Sequence, residues 1–160
     1  MRYKKIFTLF FLLILAALFR LYRLTDIPFG LNNDAAWEGS AALDILKGNI
    51  APYLPYANQG WRGEGLFRLI VTIFTFFIGP NSLVIKLPSI ILGLLTIIPL
   101  YFLINLLFSQ RLAFITSFLV ATSGWHISMS KAGWRAIGVP FFTLTTFYFP
   151  VSITIFHFLY

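Results

Sequence analysis

The chain has 160 residues, of which 59% are hydrophobic and 11% charged, with a mean hydropathy of +0.85 and a formal net charge of +7. Soluble domains carry about 25% charged residues, so a soluble globular protein is excluded and an all-α integral membrane protein is expected. In a soluble chain this charge would suggest nucleic acid, but here the bases stand at the ends of apolar runs, where they meet lipid headgroups or snorkel, which argues against nucleic-acid binding; with no cysteine, thiolate and Cys-metal chemistry are excluded as well.

The first predicted element is the apolar run Ile6–Leu24. Arg2, Lys4 and Lys5 precede it, Arg20 and Arg23 close it, and no small-residue cleavage site leads into a polar mature start. That pattern predicts an uncleaved signal anchor over residues 1–24, with the leading bases on the cytoplasmic side and Arg20 and Arg23 snorkelling. Residues 25–65 then form an extracytoplasmic loop.

All five acidic residues lie in that loop, between Asp26 and Glu64; with Lys47 and Arg62 the segment has a net charge of −3, while the rest of the chain has ten bases and no acid. A bilayer-like chain that gathers its carboxylates in one stretch points to a polar site at a membrane surface. Within the loop, Asp34–Lys47 is predicted to be an amphipathic interfacial helix. Asn32 and Asn33 are good N-terminal caps, Lys47 falls in the last turn, and Gly48-Asn49 supplies the stop. Trp37, Ala41, Ile45 and Leu46 make its apolar side. Asp34 and Glu38 are spaced i,i+4, which puts them on one face with Cβ atoms roughly 5–6 Å apart. Two such carboxylates near lipid suit a general base beside a hydrogen-bonding partner; the plain alternative is that both simply favour the helix N-terminus.

Further along the loop, prolines and glycines fix an irregular segment that ends in Trp61, Arg62, Gly63 and Glu64. Arg62 is placed to meet a phosphate at headgroup depth. Trp61, Tyr53 and Tyr56 suit stacking on a sugar ring or anchoring at the interface, and Glu64 suits either substrate contact or a local ion pair with Arg62.

Four more apolar runs follow: Leu66–Gly79, Leu87–Phe108, Leu112–Ser130 and Ile137–Tyr160. At about 20 residues per span, the chain is expected to carry four to five transmembrane helices. If every run crosses, Lys131–Arg135 lies on the cytoplasmic side. If the short second run, which contains Arg68, turns back at Gly79-Pro80-Asn81-Ser82, everything after it reverses. Lys86 is expected to snorkel. His126 and His157 have no metal-ligand partner at useful spacing, so no zinc site is expected. Lys131 and Arg135 form a basic turn, explained by lipid phosphate or by the positive-inside rule. No metal or cofactor is demanded by the pattern; a divalent cation held by the carboxylate pair is the one candidate.

In this order the residues resemble the N-terminal part of GT-C fold glycosyltransferases, specifically the dolichyl-phosphate-mannose–protein mannosyltransferase-like family. The resemblance rests on residues 28–34, 42–48 and 60–67 of the loop, on 79–89, 93–96 and 107–111 beyond it, and on 123–135, and it spans essentially the whole chain. It implies transfer of a sugar from a polyprenyl-phosphate donor to a protein hydroxyl or a lipid-linked glycan, at the outer face of a prokaryotic plasma membrane. Asp34 matches the family's acidic active-site position, although Ala35 stands where many members carry Glu. Arg62 lies near a basic position for the donor phosphate, and Arg135 matches another. Members are longer, so the resemblance also implies that this chain is the front of a larger catalytic unit. The alternative is a non-catalytic membrane subunit or remnant that binds polyprenyl phosphate or a partner membrane chain.

Overall fold

The computed structural model describes residues 2–49 and 65–159, and within them every regular element is helical. In chain order these are α1 (Arg2–Leu21), α2 (Asn33–Leu46), α3 (Gly65–Ile78), α4 (Leu83–Leu95), α5 (Ile97–Leu107), α6 (Gln110–Thr122) and α7 (Gly124–Lys131). A 3-10 turn at Arg135–Ile137 leads into α8 (Gly138–Leu159). Each apolar run read from the sequence is helical.

Two stretches are long and apolar enough to cross a membrane: Leu83–Leu107, which joins α4 and α5 over 25 residues, and Arg135–His157, with 23 residues. Pro99, in the first of them, is the third residue of α5, where a first-turn N–H is dispensable; Pro88 lies inside α4 and Pro150 inside α8. α6 and α7 meet at an angle of 51° and make a third stretch if taken together. Ser123 is the joint: its backbone is extended (ψ 117°), and its hydroxyl caps α7 by accepting the His126 N–H at 3.4 Å.

The helices are inside out relative to a soluble protein. On α3 the buried face carries Phe67, Arg68, Val71, Thr72 and Thr75, while Leu66, Ile73, Phe76 and Phe77 face outward. Beyond Gly138, no described position of α8 is buried, although its sequence is almost wholly apolar. Such outward faces suit lipid. Two apolar clusters hold the bundle. Leu12 and Ala16 of α1 meet Ile97 and Tyr101 of α5 and Ala113 and Ala121 of α6. Ala35 and Ala42 of α2 meet Phe67 and Val71 of α3, Val84, Ile85 and Leu92 of α4, and Ile137.

The structure places the basic turn. Lys131 Nζ donates to the Tyr22 carbonyl at 2.6 Å, and Arg135 Nη1 donates to Glu38 at 2.9 Å. Lys131–Arg135 therefore lies at the same end of the bundle as residues 22–38, not at the opposite end as it would if every run crossed. α3 explains the reversal. Its start shares a cleft with Leu92, and Thr75, near its end, shares another with Val84, so it folds back along the first turns of α4. Its 14 residues extend about 21 Å, short of a hydrocarbon core of about 30 Å.

Three bases expected to snorkel, or to sit in a simple basic turn, are instead buried and bonded. Arg20 donates to the carbonyls of Ala16 (3.0 Å) and Ala121 (3.2 Å) and to Ser130 Oγ (3.4 Å), and lies 2.7 Å from His126 Nδ1. Lys86 Nζ donates to the carbonyls of Leu24 (3.2 Å) and Pro28 (2.9 Å). With Lys131 on Tyr22, the two lysines bond carbonyls of the turn that follows α1. Tertiary partners satisfy these cations, so they need no path to water. Arg23 stays exposed, paired with Asp26 at 3.2 Å.

A side chain at Gly93 would overlap the Ser130 hydroxyl that receives Arg20. Gly93→Ala is expected to destabilise the protein by about 1–3 kcal/mol. Adding Ser130→Ala should recover part of the loss, so that thermal unfolding in detergent gives a non-additive double-mutant cycle.

Candidate functional site

The site begins with the capping of α2. The Asn32 side chain accepts the Ala35 N–H at 2.8 Å, which fixes where the helix starts. At the other end the Lys47 N–H bonds the Leu43 carbonyl at 3.0 Å, and Gly48 takes φ +75°, a left-handed stop suited to glycine. Both ends agree with the sequence reading. The buried stripe does not: it is Ala35, Glu38, Ala41 and Ala42, with Trp37 half-buried and Leu46 exposed. Gly39 lets α2 approach α4, since a Cβ there would lie 2.6 Å from Ile85 Cδ1.

A carboxylate can sit in that stripe because two arginines meet it. Arg68 Nε, from α3, donates to Glu38 Oε2 at 3.1 Å, and Arg135 Nη1 donates to Oε1 at 2.9 Å. Glu38 and Arg68 are almost fully buried, with side-chain exposures of 2% and 1%, whereas Arg135 keeps 30%. The Trp37 ring lies 4.6 Å from the Arg68 guanidinium carbon, a cation–π contact on the face of the guanidinium plane. One carboxylate thus ties α2 to α3 and to the segment before α8. Both its oxygens are engaged, which suits it to positioning Arg135 rather than to moving protons.

Asp34, one turn earlier, is exposed and makes no hydrogen bond or ion pair among the described residues. With Glu38, Gly133, Trp134, Arg135 and Ala136 it lines a cavity of about 150 Å³. Gly133 turns the chain there with φ +77°. The Trp134 carbonyl accepts Ser89 Oγ at 3.2 Å, while its indole Nε1 is buried and has no hydrogen-bond partner among the described residues. The cavity therefore joins the Asp34 carboxylate, the Trp134 residue and a partly exposed guanidinium. On its other side Arg135 borders a larger apolar cleft of about 410 Å³, walled by Phe67 and Ile70 of α3, Leu92 of α4, and Val139 and Phe142 of α8.

Of the residues singled out in the sequence, Asp34, Glu38 and Arg135 come together. Trp61, Arg62 and Glu64, with Tyr53 and Tyr56, lie outside the described residues. Among the described residues no group of three or more His, Asp or Glu side chains stands together as a metal site, and both oxygens of Glu38 are engaged by arginines. Sequence reasoning passed over Arg68 as a mere interruption of a short run. The signal was available: an ionisable residue inside an apolar segment usually has a partner facing it. His126, read as a lone histidine, is the partner of Arg20.

Comparison with known proteins finds no matching family, no matching curated protein and no matching solved structure.

Glu38→Gln removes the carboxylate charge that bonds both Arg68 and Arg135 and is expected to cost about 3–5 kcal/mol, the usual loss on breaking a buried pair from one side. Thermal unfolding in detergent reads this directly, and Glu38→Asp should lose less. An unchanged melting temperature for Glu38→Gln would show that the double ion pair does not hold α2 in place.

Proposed function

We propose that the chain is the N-terminal portion of a membrane glycosyltransferase of the GT-C kind, moving a sugar from a polyprenyl-phosphate donor to a protein or lipid-linked acceptor. The observation that carries this reading is the shared cavity of Asp34 and Arg135: a free carboxylate beside a guanidinium anchored through Glu38. In the proposed reaction Asp34 takes the proton of the acceptor hydroxyl as that oxygen attacks the anomeric carbon. The bond from the anomeric carbon to the phosphate oxygen breaks, and the polyprenyl phosphate leaves. Arg135, joined by Arg62, stabilises the charge that develops on the leaving phosphate. Trp61 and Glu64 are the proposed sugar and acceptor contacts. The apolar cleft that borders Arg135 suits the first isoprenoid units of the donor.

This reading has α1, α4–α5, α6–α7 and α8 crossing a prokaryotic plasma membrane, four in all, with α2 and α3 at the extracytoplasmic surface. That arrangement puts every acid on the side of the site, and it puts α1's leading bases on the cytoplasmic side.

One observation favours the second reading, a subunit that binds polyprenyl phosphate without turning it over. Ala35 is 1% exposed and packs in the core of α2, α3 and α4. The acid that many members of the resembling family carry at that place has no room here.

Transfer assays on the complete gene product in membrane vesicles, with a panel of labelled polyprenyl-phosphate hexoses, separate the readings. Asp34→Asn is expected to lower transfer by about 100-fold or more with an unchanged melting temperature, because Asp34 is exposed and has no ion-pair partner among the described residues. Arg135→Ala should weaken donor binding, seen as a raised KM. Transfer by Asp34→Asn at the wild-type rate would refute the base assignment. Donor binding without transfer in any vesicle would favour the subunit.

A further inference from the structure

We propose a second anionic site at the far end of the bundle: a cleft between α1 and the start of α6 that holds the headgroup of an anionic phospholipid. The cleft measures about 720 Å³ and is lined by Thr8 of α1 and by Ser109, Gln110, Arg111, Phe114 and Ile115. It does not depend on the glycosyltransferase reading, and it lies away from Glu38 and Arg135, beside the first turns of α1 and α6 rather than the end of α1.

Arg111 is the residue that calls for an explanation. It is exposed and makes no hydrogen bond or ion pair among the described residues. It does not serve its own helix. Arg111 stands in the first turn of α6, where the helix dipole disfavours a cation, and the end of the helix is already capped by Ser109, whose Oγ accepts the Leu112 N–H at 3.2 Å. A second cation stands one helical turn from the cleft's Thr8. Lys5 is three residues before Thr8 on α1, hence on the same face, and is partly exposed. No acid opposes them among the described residues: Asp26 is paired with Arg23 beyond the far end of α1, and Asp34 and Glu38 line the cavity with Arg135. The local charge is positive and uncompensated.

The surface running away from Arg111 is apolar. Ile115 and Phe118 follow at i+4 and i+7, with exposures of 51% and 38%, and the Phe114 and Phe118 rings stack at 6.0 Å between centroids. A cation at the head of an outward apolar stripe matches an amphiphile: phosphate on Arg111 and Lys5, acyl chain along Ile115 and Phe118. Two cations without a counter-acid favour a lipid of net negative charge over a zwitterion.

The test uses the full chain, purified in mild detergent and exchanged into mixed micelles of phosphatidylglycerol and phosphatidylcholine, with retained lipid read by native mass spectrometry. Wild-type protein should retain phosphatidylglycerol in preference to phosphatidylcholine. Arg111→Gln should weaken that retention about fivefold, the factor that corresponds to about 1 kcal/mol per surface cation. Arg111→Lys should keep most of it, and Lys47→Gln, which removes the same charge at the other end, should leave it unchanged. Equal retention by Arg111→Gln and wild type would overturn the proposal. So would an equal loss in Lys47→Gln, which would reduce the effect to net charge. Displacement of phosphatidylglycerol by millimolar inorganic phosphate would make this a free-anion site and overturn the lipid assignment.

Discussion

Glu38 is where the structure is tied together. An ionised carboxylate in an apolar bundle is costly unless its charge and both its oxygens are satisfied. Here α3 supplies Arg68 to one oxygen and the segment before α8 supplies Arg135 to the other. The requirement works in both directions, since Arg68 inside the same bundle needs a carboxylate as much as Glu38 needs a cation. Satisfying both fixes the depth of α2, folds α3 back along α4 and brings residues 131–136 against α2. The cavity shared by Asp34 and Arg135 is a consequence of that arrangement.

The same rule explains the other buried bases, with different partners. Arg20, Lys86 and Lys131 have no carboxylate; backbone carbonyls, a hydroxyl and an imidazole receive them. Carbonyls at a helix end carry partial negative charge, and the end of α1 and the turn after it supply several. The cations thus serve as connectors between helices whose apolar faces are turned to lipid. In lipid the hydrophobic effect does little to draw helices together, and polar ties of this sort carry more of the specificity.

Asp34 and Glu38 illustrate how position divides two like groups. They are one helical turn apart and chemically similar, yet one is locked between arginines and the other is open to a cavity. A free carboxylate next to a held guanidinium suits proton removal beside a leaving phosphate. In the proposed chemistry, Glu38 works through Arg135 by holding the guanidinium where charge develops. The far end of the bundle has the opposite character, with bases and, among the described residues, no acid.

Much of the architecture was legible in the sequence. The apolar runs marked every long helix, because burial in lipid demands continuous apolar stretches. Asn32 and Gly48 marked the ends of α2, since capping and a left-handed stop are local chemistry. The clustering of the acids marked the end that holds the candidate site, and the i,i+4 spacing placed Asp34 and Glu38 on one face. Tertiary structure alone decided the rest. Which carboxylate is locked depends on Arg68 and Arg135, 30 and 97 residues away in sequence, and no local pattern encodes a pairing across such distances. The fate of Arg20 and Lys86 was equally hidden, because a base at the end of an apolar run reads the same whether it reaches water or a neighbour's carbonyl. The side of the basic turn followed only once α3 was seen to fold back, since a run of 14 helical residues is ambiguous between a tilted crossing and a returning arm until its neighbours are known.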